Sequence, residues 1–398
     1  MDYIRKLHKY RFFRFIPKDT YTGSIVITDL IDSFNRGMGV SMFKRDWNLC
    51  HLVFVFGNMI LTIYLISVFY TGILYRREIT KLIFCVSTFG FGIQALVKII
   101  FFVFKRSRVL DLNEVNLRYY KTMLHESERV RRVICENITL SYIVVKGTFY
   151  IYLAFVVASL VIPGLASFFL PERILPFGFI LPFVDPDSFV GYVLNYCSQS
   201  IAAYYYWRIS AGSDCTIVFN LLTASGQLDG LMTLIDELND QLESGEAPAA
   251  IRKKIVKIIQ QHQYHRDYLS QLMDFLYLYH IGSVGFGVLT MIISVMGIVL
   301  LDWYLGAICT VMGSVQLFYL CFLSTSFEIK TDTLIEHVGA IKWDKLSSAD
   351  MKYMNLLLLT SQSPKLLEVF TTPLNISSYV QIHKMIYTMI MMLQNTKS

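Results

Sequence analysis

A chain of 398 residues that is 54% apolar and only 17% charged does not have the make-up of a soluble protein, since soluble domains carry about a quarter charged residues. The positive mean hydropathy and the 15% aromatic content point to a membrane protein whose Tyr and Trp favour the lipid interfaces. The net charge of +6 is mild, says little until it is sorted by loop, and gives no reason to expect a nucleic-acid partner.

Taken in order, residues 1–48 form a polar, basic arm. Phe12, Phe13, Phe15 and Ile16 lie among its Arg and Lys residues, and Pro17 and Gly23 interrupt it. This composition predicts a membrane-surface arm with no cleaved leader. Residues 49–223 hold four predicted spans, at about 49–74, 82–104, 138–162 and 188–223. The third ends at Pro163, and a basic stretch over 105–137 precedes it. The loop 163–187 combines Pro171, Pro176, Pro182 and Pro186 with five Phe, which is wrong for a helix and right for an ordered, partly buried lid. Residues 224–277 are polar. Ile251, Ile255, Ile258, His262, His265, Leu269, Leu272 and Leu276 recur there at helical spacing, predicting a long amphipathic helix that leads into the membrane. Spans five and six, within 278–327, meet at a minimal turn, Asp302-Trp303. Residues 328–372 are polar again, with an amphipathic piece from Met354 to Leu359. Residues 373–398 hold a seventh span and a short tail.

The last span carries a polar stripe. Lys384, Thr388, Met391 and Asn395 follow one another at steps of four, three and four, so they share one helical face. Such a face suits water or protein better than lipid. Two readings fit it: a pore lining, with Met391 as an apolar constriction, or ordinary packing, with Lys384 snorkelling to the interface.

Seven spans put the termini on opposite sides. Of the Lys and Arg outside the spans, 27 fall in segments on the N-terminal side and five on the other. The N-terminus is therefore expected in the cytoplasm and the C-terminus outside. A G-protein-coupled receptor has the reverse orientation, and neither an Asp-Arg-Tyr nor an Asn-Pro-x-x-Tyr motif occurs where it would need one. The sequons at Asn137 and Asn375 fall on or near the cytoplasmic side and are expected to carry no glycan. The seven Cys show no paired spacing and read as buried thiols. His262 and His265 share a helical face, but no further ligand completes a metal site. No cofactor motif and no supported catalytic motif occurs, so enzymatic activity is not expected.

With these features assembled, the chain resembles the insect odorant receptors along nearly its whole length. Leu175-Pro176-Phe177 with Leu181-Pro182-Phe183 is similar to the loop before the family's fourth span. Trp343, the run Leu356 to Leu359, and Gln362-Ser363-Pro364 are similar to the approach to its last helix. Ser377-Ser378-Tyr379, Lys384, Tyr387 and Leu393-Gln394 are similar to that helix itself. The resemblance implies an all-α membrane protein of seven transmembrane helices whose cytoplasmic extensions form an intersubunit anchor. It implies an odorant-gated, non-selective cation channel in the plasma membrane of a sensory-neuron dendrite, with the seventh span lining the pore of a tetramer. The family's co-receptor, Orco, carries a long insertion after its fourth span. The compact 224–277 segment instead suits a ligand-tuned subunit that works in a heteromer with Orco. The resemblance also places a pocket for a small volatile ligand among the outer halves of spans two, three, four and six. Those segments supply Phe84, Ser87, Thr88, Phe91, Tyr150, Tyr152, Phe155, Tyr192, Tyr196, Thr310 and Ser314. An aromatic cavity with a few hydroxyls suits such ligands. Two rival readings are a gustatory-type homotetrameric channel and a transporter. The first is weakened by Gln394-Asn395 where those receptors show Gln-Phe, the second by the lack of any repeat between halves.

Overall fold

The computed structural model describes residues 10–45, 47–48, 51–169, 173–301, 306–363, 368–369 and 372–397. The apolar runs and most of the polar segments between them fold as helices. In chain order these are α1 (Thr20–Arg36), α2 (Leu52–Leu74), α3 (Ile79–Phe104), α4 (Arg106–Thr122), α5 (Glu128–Phe169), α6 (Phe189–Ser244), α7 (Pro248–Leu301), α8 (Gly306–Gly339), α9 (Ser348–Ser361) and α10 (Ile376–Lys397). Two short strands, Glu368–Val369 and Thr372–Pro373, pair antiparallel, with Val369 opposite Thr372. Polar caps mark several helix ends. Asp19 accepts from the Thr22 N–H at 2.7 Å at the start of α1. Ser188 starts α6, and Gly245 ends it at φ 69°, a left-handed stop that glycine adopts without strain.

Among the described residues, five segments are long and apolar enough to cross a membrane: Leu52–Leu74, Lys81–Phe104, Glu128–Phe169, Tyr279–Val299 and Gly306–Gly339. The expected fourth and seventh spans lie on α6 and α10, which are helical but more polar. For α6 the reason is its position. It packs against α1, α2, α3, α4, α5, α7 and α8, and its polar residues Ser210, Ser213, Asp214, Thr216, Asn220 and Thr223 are all buried. A helix surrounded by protein can carry polar groups that a lipid-facing helix cannot.

Several sequence expectations change. The third span does not end at Pro163, because α5 runs through it to Phe169. The Ser167 hydroxyl donates to the Pro163 carbonyl at 2.9 Å, and the Tyr196 hydroxyl donates to the Leu160 carbonyl beside the break. The helix of the expected fourth span continues unbroken past 223 to Ser244. Its far end is tied by ion pairs. Arg129 meets Asp240 at 3.0 Å, and Lys254 and Lys330 meet Glu237 and Asp229. Cys197 is exposed, unlike the buried Cys85, Cys215 and Cys321. Lys146 and Arg208, charges inside α5 and α6, both reach backbone carbonyls of the N-terminal segment. Lys146 donates to the Phe12 carbonyl at 2.6 Å and Arg208 to the Ser33 carbonyl at 3.0 Å, so both hold the N-terminal arm and α1 to the bundle. Asn137 is buried, and Asn375 caps α10 by accepting from the Ser378 N–H at 3.1 Å. The Asp302-Trp303 turn, Cys50, Pro171 and Pro364 lie outside the described residues.

Candidate functional site

The residues after α5 are held in by polar side chains of neighbouring helices. Gln199 accepts from the Phe177 N–H at 2.8 Å and donates to the Phe179 carbonyl. Thr71 accepts from the Ile180 N–H at 2.8 Å, and Asn195 from the Leu181 N–H at 2.6 Å. These four backbone groups thus have partners, and Phe179 and Ile180 are drawn into the core. Phe183 is left at the tip with φ 62°, a left-handed conformation that normally selects Gly or Asn.

Beneath this loop lies an apolar cavity of about 70 Å³. Its walls are Leu61 and Tyr64 of α2, Thr88, Phe91, Gly92 and Ala95 of α3, Phe155, Val156 and Ser159 of α5, and Ala202, Ala203 and Tyr206 of α6. Ile308, Cys309 and Met312 of α8 close it, with Phe177 and Phe179 from the loop. Phe155 and Met312 also wall a smaller cavity of about 50 Å³ with Tyr152, Gln316 and Tyr319. The hydroxyls on the main wall are turned away. Tyr64 donates to the Thr88 carbonyl at 2.9 Å and Ser159 to the Val156 carbonyl at 2.9 Å. Thr88 donates back to the Phe84 and Cys85 carbonyls of its own helix. What faces the space is carbon, so a neutral apolar molecule loses little by entering it.

Of the residues expected at a ligand pocket, Thr88, Phe91 and Phe155 line the main cavity and Tyr152 the smaller one. The others are elsewhere. Phe84 packs beside Gly178 of the loop. Ser87 is buried without lining either space. Tyr150 faces the Phe12 ring at 4.9 Å. Tyr192 bonds Ser167 at 3.2 Å, Tyr196 bonds Leu160, and Thr310 bonds the Gly306 carbonyl at 3.0 Å. Helical spacing alone did not separate the faces, because these helices are apolar all round. Leu61, Tyr64, Tyr206 and Met312 also line the cavity without being among the expected residues; Leu61 and Tyr64 lie on the first span, outside the four segments the resemblance singles out.

Next to the cavities is a buried polar centre. Lys98 of α3 lies 2.8 Å from Asp214 of α6, with the two side chains 0% and 1% exposed. Asp214 also accepts from the hydroxyls of Tyr152 and Tyr279 and from the Gln316 amide at 3.3 Å. Five helices therefore meet at one carboxylate. A signal for it existed in the sequence: Lys98 and Asp214 are single opposite charges in long runs without others.

The terminal helix α10 packs on α7 and α8. Ile386 is buried and Tyr379, Ile382 and Ile390 are partly so. Ser314 of α8 lies 2.9 Å from both the Tyr379 hydroxyl and His383 Nε2. Lys384, Thr388 and Met391 are exposed on the face turned away from the rest of the chain. The Asn395 backbone continues that helix, and its side chain lies outside the described set.

On the polar extension of α7, His262 and His265 are buried beside a cavity of about 400 Å³. Burial pushes His262 down to about 4, helped by the charge of Arg266, and pushes His265 down to about 3. Among the described residues no group of three or more His, Cys, Asp or Glu is placed to hold a metal ion.

A family model described as 7tm Odorant receptor matches residues 78–387. The Drosophila melanogaster protein named Putative odorant receptor 83c is 24% identical over 241 residues, covering 56% of this chain and 60% of that protein. The match thus spans less than two thirds of that relative. The structure of the insect olfactory receptor OR5 from Machilis hrabei in complex with eugenol superposes with a TM-score of 0.70 at 14% identity, over 95% of this chain and all of that one. A second structure of the same receptor gives 0.61 at 14% identity, over 93% and 98% of the two chains. At that identity the two structures speak for a common fold alone.

Proposed function

Because the chain belongs to the 7tm odorant receptor family, we propose that it is a ligand-tuned subunit of an odorant-gated, non-selective cation channel in the plasma membrane. The observation that supports this most is the apolar cavity walled in part by α8, the helix whose Ser314 bonds Tyr379 and His383 of the terminal helix. A neutral volatile occupies the cavity between α2, α3, α5, α6, α8 and the loop. It opens the channel by binding the open arrangement more tightly than the closed one. Seven spans cross the membrane, with the N-terminus in the cytoplasm and the polar ends of α5 to α9 forming the intersubunit anchor. The pore is lined by α10, on the face that carries Lys384, Thr388, Met391 and Asn395. Four copies of Lys384 around one axis would repel cations, which favours a heteromer with the co-receptor Orco, where fewer copies line the pore.

Recording odorant-evoked current with and without the co-receptor tests the assignment. Current only on co-expression, in unitary steps, is the expected result. Robust current from the chain alone would replace it with a gustatory-type homotetramer, and flux at carrier rates would replace it with a transporter. Lys384→Gln is expected to raise divalent permeation; unchanged permeation would put that side chain off the ion path.

A further inference from the structure

The cavity and the Asp214 centre are joined by a continuous line of side-chain hydrogen bonds. Tyr206 lines the cavity, and its hydroxyl donates to Gln94 Oε1 at 3.0 Å. Gln94 Nε2 donates to Gln316 Oε1 at 3.2 Å and to the Ser283 carbonyl at 2.7 Å. Gln316 Nε2 donates to Asp214 Oδ2 at 3.3 Å. The line crosses from α6 to α3 to α8 and returns to α6. Two residues before Gln316, Ser314 of α8 holds Tyr379 and His383 of α10.

Tyr206 differs in this from the other hydroxyls of the cavity wall. Tyr64, Thr88 and Ser159 all end on backbone carbonyls of α3 or α5. Tyr206 ends on a side chain whose amide is engaged at both ends, and so is the next one. The amides of Gln94 and Gln316 are buried, where a bond that is pulled apart finds no water to replace it. A molecule that displaces the Tyr206 ring must therefore move Gln94, and through it Gln316, or break the line. The far end is fixed by Lys98, Tyr152 and Tyr279 on Asp214.

We propose that Tyr206, Gln94 and Gln316 are positioning residues that carry occupancy of the cavity to α8, and so to the terminal helix, with the Lys98–Asp214 pair as the fixed anchor of the line. The proposal rests on the reading of the chain as an odorant-gated channel. It names the coupling element between two sites that share α8, each biasing the same arrangement.

The test uses the full chain co-expressed with the co-receptor, at matched surface density. Eugenol, ethyl butyrate and hexanol are the probes, and both ligand-free current and the half-maximal concentration are read. Tyr206→Phe keeps the ring and loses only the hydroxyl; Gln94→Leu breaks the line at a residue that does not line the cavity. Each is expected to shift the half-maximal concentration at least fivefold and to change the ligand-free current. Both substitutions together are expected to do no more than either alone, because they cut the same line. A residue that only supports the fold would lower surface density without moving the ligand-free current. If Gln94→Leu fails to reach the surface, Tyr206→Phe decides. Shifts under twofold, or shifts that multiply in the double variant, overturn the line while leaving the functional reading intact. A wild-type channel silent to all three probes, while positive-control channels respond, overturns the functional reading and the line with it.

Discussion

The main cavity and the Asp214 centre lie side by side and treat polar atoms in opposite ways. On the cavity wall most hydroxyls turn back to backbone carbonyls, leaving carbon towards the space. At Asp214, donors from α3, α5, α7 and α8 converge on one buried carboxylate. The first arrangement can change its contents at little cost. The second cannot change at all without stranding a buried charge. A buried ion pair adds little net stability, since desolvation offsets its attraction, but removing one partner is severe. The pair is thus better understood as fixing how five helices sit together than as a source of stability.

The largest effect follows from that asymmetry. Lys98→Met is expected to destabilise the chain by about 3–5 kcal/mol, because Asp214 keeps its charge without its partner. The loss should appear as reduced surface density and a lower melting temperature in detergent. Adding Asp214→Asn should recover most of it, and no recovery would mean that the charge is not what matters. Ala203→Trp should instead fill the cavity. Overpacking costs about 1–3 kcal/mol, so the chain is expected at the surface with its odorant response reduced more than tenfold. A full response would move the ligand elsewhere.

A third buried polar region, His262 and His265, tests whether neutral buried groups behave like either. Their folded values, about 4 and about 3, lie below the ordinary value of about 6.5 for an unfolded chain. The unfolded state therefore binds protons first as pH falls. Stability is complete above about pH 6.5 and declines as pH drops towards 4. Melting curves at neutral and mildly acid pH should show the decline, and replacing both His by Gln should flatten it. The smallest effect is expected at Thr88→Val. Its hydroxyl bonds only its own helix, so odorant potency should change less than threefold. A change above tenfold would show that the hydroxyl turns to the ligand, and the contrast between dry cavity and polar centre would weaken.

Much of the helical framework was legible because hydropathy and helical period report burial in lipid directly. The amphipathic run from Ile251 to Leu276 lies within α7, and in the described part of the Pro-Phe stretch Phe179 and Ile180 are buried while Phe183 is exposed. Pro163 misled, because one missing N–H does not by itself end a helix, and α5 continues through it to Phe169. The site was less legible. Thr88, Phe91 and Phe155 reached the cavity, whereas Tyr150 and Thr310 lie on other faces of helices that are apolar on every side. No periodicity marks which of two apolar faces meets a space.

The sequence by itself determined that this is a helical membrane protein, and where along the chain its apolar helical segments fall. Those properties follow from spacing and composition within single segments. Only the tertiary structure decided that α6 is the central helix, that Lys98 finds Asp214, and that Tyr206 rather than Tyr150 meets the cavity. Each depends on the rotation of one helix against another, and that rotation is set by packing between segments far apart in the chain.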